Sequence, residues 1–407
     1  MTTSNGPDRL HGLDAVRGYA LLIGIVFHAT ASFLPGPQIW PVVDTHRSLT
    51  LAGVFFVSHI FRMTTFFLIA GFFAHMMVEK RGVAAFVKDR AKRIALPLVV
   101  GWPILFAAII AATVYGVVVA TGHLPKPPAP SHGGPPLAFP LTHLWFLYTL
   151  LWLYAGALGL RWAVLRLDRA GRFRARADGF VAALVESPAA PLALALPLAF
   201  AFLATGHWLE WFGVPGPETS LIPNLPAAVE YAVAFGFGWL LNRQPGLLGV
   251  MSRRWLLNLT LALGLTVLCL SMVGLTPVVE PARIGAKHVA YAGAYALATW
   301  TWTFAAIGMA LKFLSGHSPA RRYIADSSYW LYLIHLPLVI ALQAAVSQFA
   351  WPWEVKIAVV LAVAFPLMFA SYQFMVRHTL IGAILNGKRM PKTPKARVFG
   401  AHPEPAE

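Results

Sequence analysis

The chain is dominated by long apolar runs, and these constrain its fold more than any other feature. Ten runs, at roughly 13–35, 49–78, 94–120, 143–165, 188–206, 225–242, 255–275, 289–313, 327–348 and 354–376, each approach or exceed the ~20 residues that an α-helix needs to cross a bilayer. They predict an all-α, polytopic membrane protein of about ten transmembrane helices. Composition agrees: 58% of the 407 residues are hydrophobic and 12% charged, against about 25% charged in soluble domains. Such a chain has too few polar groups to cover a water-facing surface. Ala29-Thr30-Ala31 mimics a signal-peptide cleavage site, but His28 and Asp14 interrupt the apolar pattern of the first run, which reads as a retained helix. The 49–78 run exceeds what one crossing needs, which predicts a tilt or an extension past the bilayer.

Charge orients these helices. The N terminus, the segments at 79–93, 166–187, 243–254 and 314–326 with their helix ends, and the C-terminal region hold 25 Lys and Arg; the opposite loops hold 5, namely Arg47, Lys126, Arg283, Lys287 and Lys356. This asymmetry places both termini in the cytoplasm. It also accounts for the net charge of +16 without nucleic acid as a partner. The lone cysteine, Cys269, lies inside an apolar run and reads as packing; it excludes an internal disulfide or a CxxC motif. Segments 121–142 and 207–226, on the non-cytoplasmic side, are rich in proline and glycine and resist regular structure; they read either as simple connections or as a rim that receives an acceptor. Residues 384–407 are basic, polar and proline-containing, a composition that predicts disorder. With no internal repeat, a single membrane domain is the economical organisation.

Ionisable residues inside a bilayer are costly and mark function. In the first run Arg17 and His28 are eleven residues apart, which returns to within about 20° on a helix, at about 16 Å along the axis. Asp14 and Ser32 join that face. A snorkelling, topology-setting Arg17 paired with Asp14, and an interhelical hydrogen bond at His28, are the structural alternatives. Arg62 lies midway along the second run, too deep to snorkel, with His59 one turn away. His75 faces elsewhere and reads as peripheral. Gly71 follows bulky residues and offers a close helix contact. Ser328, Tyr332 and His335 share a face by i, i+4, i+7 spacing, and Pro337 predicts a kink just beyond; interhelical bonding is the plainer use of this stripe. Arg90, Lys92 and Arg93 cluster beside the membrane, suited to phosphates or to anionic lipid. No GxxxxGK[ST], HExxH or GxSxG motif is present, and the sequence supports no metal site.

The order of LDAVRGYALLIGIVFH, FFLIAGFF, RAKRIALP, HLWFLYTLLWLY and SYWLYLIHLPLV along the chain resembles the acyltransferase-3 family of multipass membrane proteins, which transfer acyl groups to envelope carbohydrates and similar acceptors. The resemblance runs from about residue 10 to 390. HIFRMTTFFLIAGFF and VRHTLIGAILNGKR look most like the branch associated with succinylation of periplasmic glucans. The resemblance implies that Arg17 and His28 are essential and that the basic cluster handles the acyl donor. The family pattern there is often an adjacent arginine pair with a third arginine; here it is Arg90-Ala91-Lys92-Arg93, and lysine offers a point charge in place of a bidentate fork. Some members add a periplasmic SGNH domain, which this sequence is too short to include.

Taken with the residues, the resemblance implies an acyltransferase domain over 1–383, in the cell inner membrane, using acyl-CoA as co-substrate and no permanently bound cofactor. Arg17, Arg90, Lys92 and Arg93 would hold the phosphates of CoA. His28 would deprotonate the acceptor hydroxyl. Arg62 would stabilise the thioester oxyanion or bind a succinyl carboxylate, and His59, Ser328, Tyr332 and His335 would line or orient the site. An exporter of an acylated or anionic carbohydrate that does no chemistry would carry buried charges too.

Overall fold

The computed structural model describes residues 7–125, 137–281 and 283–387. Among them there is no strand, only an isolated antiparallel bridge between Ala138 and Ser220. Thirteen α-helices follow in order: α1 (Pro7–Thr30), α2 (Leu49–Arg90), α3 (Leu96–Thr121), α4 (Trp145–Leu167), α5 (Arg172–Glu186), α6 (Ala190–Leu203), α7 (Leu225–Arg243), α8 (Leu248–Arg253), α9 (Trp255–Val273), α10 (Ala286–Phe313), α11 (Pro319–Ser347), α12 (Trp353–Ser371) and α13 (Leu380–Leu385).

By length and apolarity, seven of the described helical stretches can cross a membrane, or eight if the sharply bent pair α5–α6 forms one crossing. The expected count was ten. Runs 49–78 and 94–120 lie in one continuous stretch, Leu49–Thr121, whose halves each have crossing length. This stretch turns at Gly82, whose φ of 78° suits glycine, and passes through a π-helical turn at Ala91–Ala95 that carries Lys92 and Arg93. The 188–206 run yields only the 14 residues of α6, roughly 21 Å of helix. In α7 the apolar pattern is diluted by Glu230, Tyr231 and Asn242.

The segment read as a loop at 166–187 folds as α5. Its first turn is held by Asp168, which accepts from the backbone N–H groups of Phe173 at 3.1 Å and Arg174 at 2.9 Å. Val181 and Val185 are buried while the arginines remain outside. The expectation for the tail 384–407 falls outside the described residues from 388 onward; Ile384 and Leu385 close α13.

α10 forms the inner pillar, packed by α9, α6, α2, α8 and α1, and α11 packs on α3, α1 and α12. α9 turns Leu256, Leu261, Val267 and Leu268 outward, as a lipid-facing helix would. The closest approach joins α2 to α7. A Cβ on Gly71 would lie 1.9 Å from the Phe235 carbonyl oxygen, and one on Gly238 would lie 1.9 Å from that of Leu68. Neither backbone can yield without separating the helices, which bears out the close contact expected at Gly71. Gly71→Ala or Gly238→Ala should therefore destabilise the fold by about 1–3 kcal/mol, read as a lowered thermal midpoint in detergent. Unchanged midpoints would mean that the two helices are free to part.

Candidate active site

α1, α2, α4, α7 and α11 enclose a cavity of about 520 Å³, within the usual range for small-molecule sites. Arg17, Arg90 and Arg93 line it toward the end that the charge pattern places in the cytoplasm. His28, His59, Arg62, Tyr332 and His335 line its middle, with Ser328 nearer the basic end. Trp40, Glu218 and Thr219 line it on the loops of the opposite side. Of the residues expected to form the site, only Lys92 is outside: it is exposed on the π-helical turn beside the cavity. Asp14 pairs with Arg17 at 3.4 Å, while Ser32 is buried away from the cavity with its hydroxyl unpartnered. His75 bonds Asn242 at 2.8 Å, outside the cavity, consistent with a peripheral place.

Three histidines meet at the centre. The ring centroids of His28 and His335 are 5.1 Å apart, and those of His335 and His143 are 5.4 Å apart. Pro337 explains how His143 is held. It has no N–H, so the carbonyl of Leu333, four residues earlier, has no helical partner. His143 Nε2 fills that vacancy by donating to it at 3.0 Å. Tyr332 then donates its hydroxyl to the His143 carbonyl at 2.7 Å. His335 Nδ1 lies 2.7 Å from the Tyr332 carbonyl, which can only accept, so Nδ1 carries a proton and Nε2 of the neutral ring carries the lone pair.

His28 is fixed through its backbone. Gln343 Nε2 donates to the carbonyls of His28 at 2.9 Å and Ala29 at 3.0 Å, at the end of α1 where carbonyls lack helical partners. The other end of the same amide accepts from Trp40 Nε1 at 2.8 Å, and the Trp40 ring stacks on His28 with centroids 5.5 Å apart. His28 Nδ1 is buried and makes no hydrogen bond. The ring lines the cavity between Trp40 and His335, a position suited to taking a proton from a ligand through a ring nitrogen that the cavity reaches.

Arg62 is buried, 7% exposed, and its Nη1 has no hydrogen-bond partner. Its guanidinium carbon lies 4.2 Å from the centre of the Phe27 ring, and it rests across Gly24, where a Cβ would come within 3.3 Å of Nη1. Among the described residues no carboxylate lies within ion-pair distance of it. Glu230 is engaged elsewhere, accepting from Thr64 Oγ1 at 2.9 Å. Two acids line the cavity with Arg62: Asp326 on α11, beside the basic end, and Glu218, on a loop of the opposite side. Protein surrounds Glu218, yet its side chain faces the open cavity. Burial pushes its carboxyl up to about 7, with Arg62 pulling the other way.

At the basic end, Arg90 pairs with Asp89 at 2.7 Å and Arg93 lies 3.8 Å from the same carboxyl. Arg93 Nε donates to the Leu385 carbonyl at 2.9 Å, and Tyr329 donates to the Arg93 carbonyl at 2.6 Å. Asp89 thus sits between two guanidiniums, and Arg17, paired with Asp14, lines the same end with Asp326.

The opposite mouth is built by two pinned loops. Backbone bonds from Phe139 to Thr219, Thr142 to Glu218 and Leu221 to Leu137, at 3.0, 3.1 and 3.1 Å, zip the segment before α4 to the one before α7. They hold Thr142 at φ 51°, a strained conformation for a β-branched residue, directly before His143. The other loop is clasped by Lys356, fully buried, whose Nζ donates to Asp44 at 2.7 Å and to the Ser347 carbonyl at 2.9 Å. Lys356 had been counted among the outer topology charges; its charge serves this clasp.

His143, Glu218, Trp40 and Phe27 complete a site that sequence reasoning only half assembled. Trp40 lies in a segment without helical periodicity, and His143 opens the 143–165 run, where nothing in its spacing marks it for the site. Glu218 lies in segment 207–226, which reads either as a connection or as a rim that receives an acceptor, but its sequence does not single out Glu218. The one available signal was Pro337, which announces a free carbonyl but not its partner.

The chain matches the acyltransferase-3 family's acyltransferase domain over residues 10–371. Glucans biosynthesis protein C of Shigella dysenteriae serotype 1 (strain Sd197) is 33% identical to it over 97 residues, 24% of this chain and 25% of the relative. The proteins of the same name from Escherichia coli strains SMS-3-5 and K12 are 33% and 32% identical over the same length. The match therefore spans about a quarter of these relatives. No solved structure matches significantly.

Proposed function

This chain belongs to the acyltransferase-3 family, and from that premise we propose that it is a transmembrane O-acyltransferase of the cell inner membrane, moving an acyl group from cytoplasmic acyl-CoA to a hydroxyl of a periplasmic or envelope carbohydrate. One observation carries the reading: a single cavity joins a basic end, a histidine centre and a second mouth. Arg17, Arg90 and Arg93 bind the phosphates of CoA, with the exposed Lys92 beside them adding charge. The thioester arm lies along the cavity toward His28.

The acceptor hydroxyl attacks the thioester carbon as His28 takes its proton. The new C–O bond forms, the C–S bond breaks, and the departing CoA thiolate takes the proton back from His28. His335, with its Nδ1 proton fixed by the Tyr332 carbonyl, and His59 orient the reacting groups. Arg62 binds the free carboxylate of a dicarboxylic acyl group such as succinyl. The domain occupies 1–383, followed by a basic tail.

The direct test is mass spectrometry of periplasmic glucans from strains with and without the gene. The reading expects substituents that disappear with the gene, and identical glucans would refute it. Arg90→Ala and Arg93→Ala should each raise the donor KM about tenfold with little change in kcat, since they contact CoA away from the reacting atoms. A normal donor KM with reduced membrane abundance would return these residues to topology alone.

A further inference from the structure

We infer that Trp40 and Glu218 form the acceptor subsite, at the mouth opposite the basic cluster, and that it takes a polyhydroxylated, carbohydrate-type ligand. The inference rests on the acyl-transfer reading and adds to it the residues that recognise the acceptor.

The two residues sit on separate loops and both line the cavity. Neither loop is arranged as a mobile lid. The Trp40 loop is fastened by the buried Lys356–Asp44 pair and by Gln343, and the Glu218 loop by its backbone bonds to residues 137–142. A rigid mouth is suited to selecting a ligand.

Their chemistry is complementary. The indole N–H of Trp40 is spent on Gln343, so what remains for a ligand is apolar ring surface. Glu218 has no ion-pair partner among the described residues and faces the cavity, so its oxygens are available to hydroxyl donors. Thr219 adds a hydroxyl beside it. A sugar presents both counterparts, an apolar C–H face and a fringe of hydroxyls. Trp40 stacks on His28, so a sugar ring bound against it would bring a hydroxyl to the histidine. A cavity of about 520 Å³ shared with the acyl arm admits the end of a glucan and leaves the rest outside.

The test measures binding without turnover, by titration calorimetry of a linear oligoglucoside into detergent-solubilised His28→Ala protein. Adding Glu218→Gln or Trp40→Leu should each weaken oligoglucoside binding about tenfold, while Trp40→Phe, which keeps a ring, should weaken it less. Binding of CoA should be unchanged in all three. Oligoglucoside affinity unaffected by both Glu218→Gln and Trp40→Leu would overturn the assignment, as would a parallel loss of CoA binding, which signals general distortion. The wild-type protein separates the two readings. If it releases CoA from acyl-CoA yet binds no oligoglucoside, the subsite is wrong and acyl transfer stands. If it binds oligoglucoside through Glu218 but never acylates it, the subsite stands and the acyl-transfer reading fails.

Discussion

His28→Ala should lower acyl transfer by about 10²–10⁴-fold, the contribution of a positioned general base, while leaving the protein inserted and folded. The geometry separates those two outcomes. What Gln343 grips is the main-chain carbonyl of residue 28, not its ring, so truncating the side chain leaves the end of α1 attached to α11. What is lost is the imidazole that lines the cavity between Trp40 and His335. The measurement is acyl transfer per folded molecule, with abundance checked by thermal melting. A well-folded variant that retains near-normal transfer would remove His28 as the base.

Much of this arrangement could be read from the sequence, for a physical reason. A bilayer fixes the length of a crossing and penalises buried charge, so both leave marks that need no partner to interpret. The runs that became α4, α9, α10 and α12 were located within about five residues, α1 and α11 begin several residues before the runs expected for them, and the eleven-residue spacing of Arg17 and His28 was enough to put both on one cavity wall. Crossings that depend on neighbours were harder: α6 is short, α7 carries Glu230 for Thr64, and the sequence gives no length cue at Gly82. α5 was missed because a basic amphipathic segment reads as loop when only long apolar runs are sought. Of the site's loops, only the segment 207–226 was legible, as a connection or an acceptor rim, and its individual residues were not. Glu218 and His143 owe their places to hydrogen bonds made with chain distant in sequence, and spacing encodes nothing about such pairs. Lys356, read as a topology charge at a helix end, also pairs with the buried Asp44, a contact that spacing does not show.

Arg62→Gln should reduce transfer from succinyl-CoA about 10²-fold and leave transfer from acetyl-CoA within about threefold. A buried charge pair that loses one partner commonly costs 2–5 kcal/mol, which spans that factor. The guanidinium has the features of a group awaiting an anion. It is buried, Nη1 is unsatisfied, and its near neighbours are the Phe27 ring and Gly24. Glu230, the helical acid that might have neutralised it, serves Thr64 instead. Glu218 shares the cavity but forms no ion pair with Arg62. An acyl group ending in a carboxylate would meet a planar donor fork, whereas an acetyl group offers nothing to it. Equal losses on both donors would instead assign Arg62 to the thioester oxyanion or to the structure, and would withdraw succinate.

The central claim is transfer across the membrane through one cavity. It is tested most directly in proteoliposomes selected with the basic face outward, given acyl-labelled CoA outside and an oligoglucoside sealed inside. The account predicts label on the enclosed oligoglucoside, an equal amount of CoA released outside, and neither with His28→Ala. An oligoglucoside that stays unlabelled while the donor remains intact, or that leaves the vesicles unmodified, would contradict the account and favour an exporter that does no chemistry.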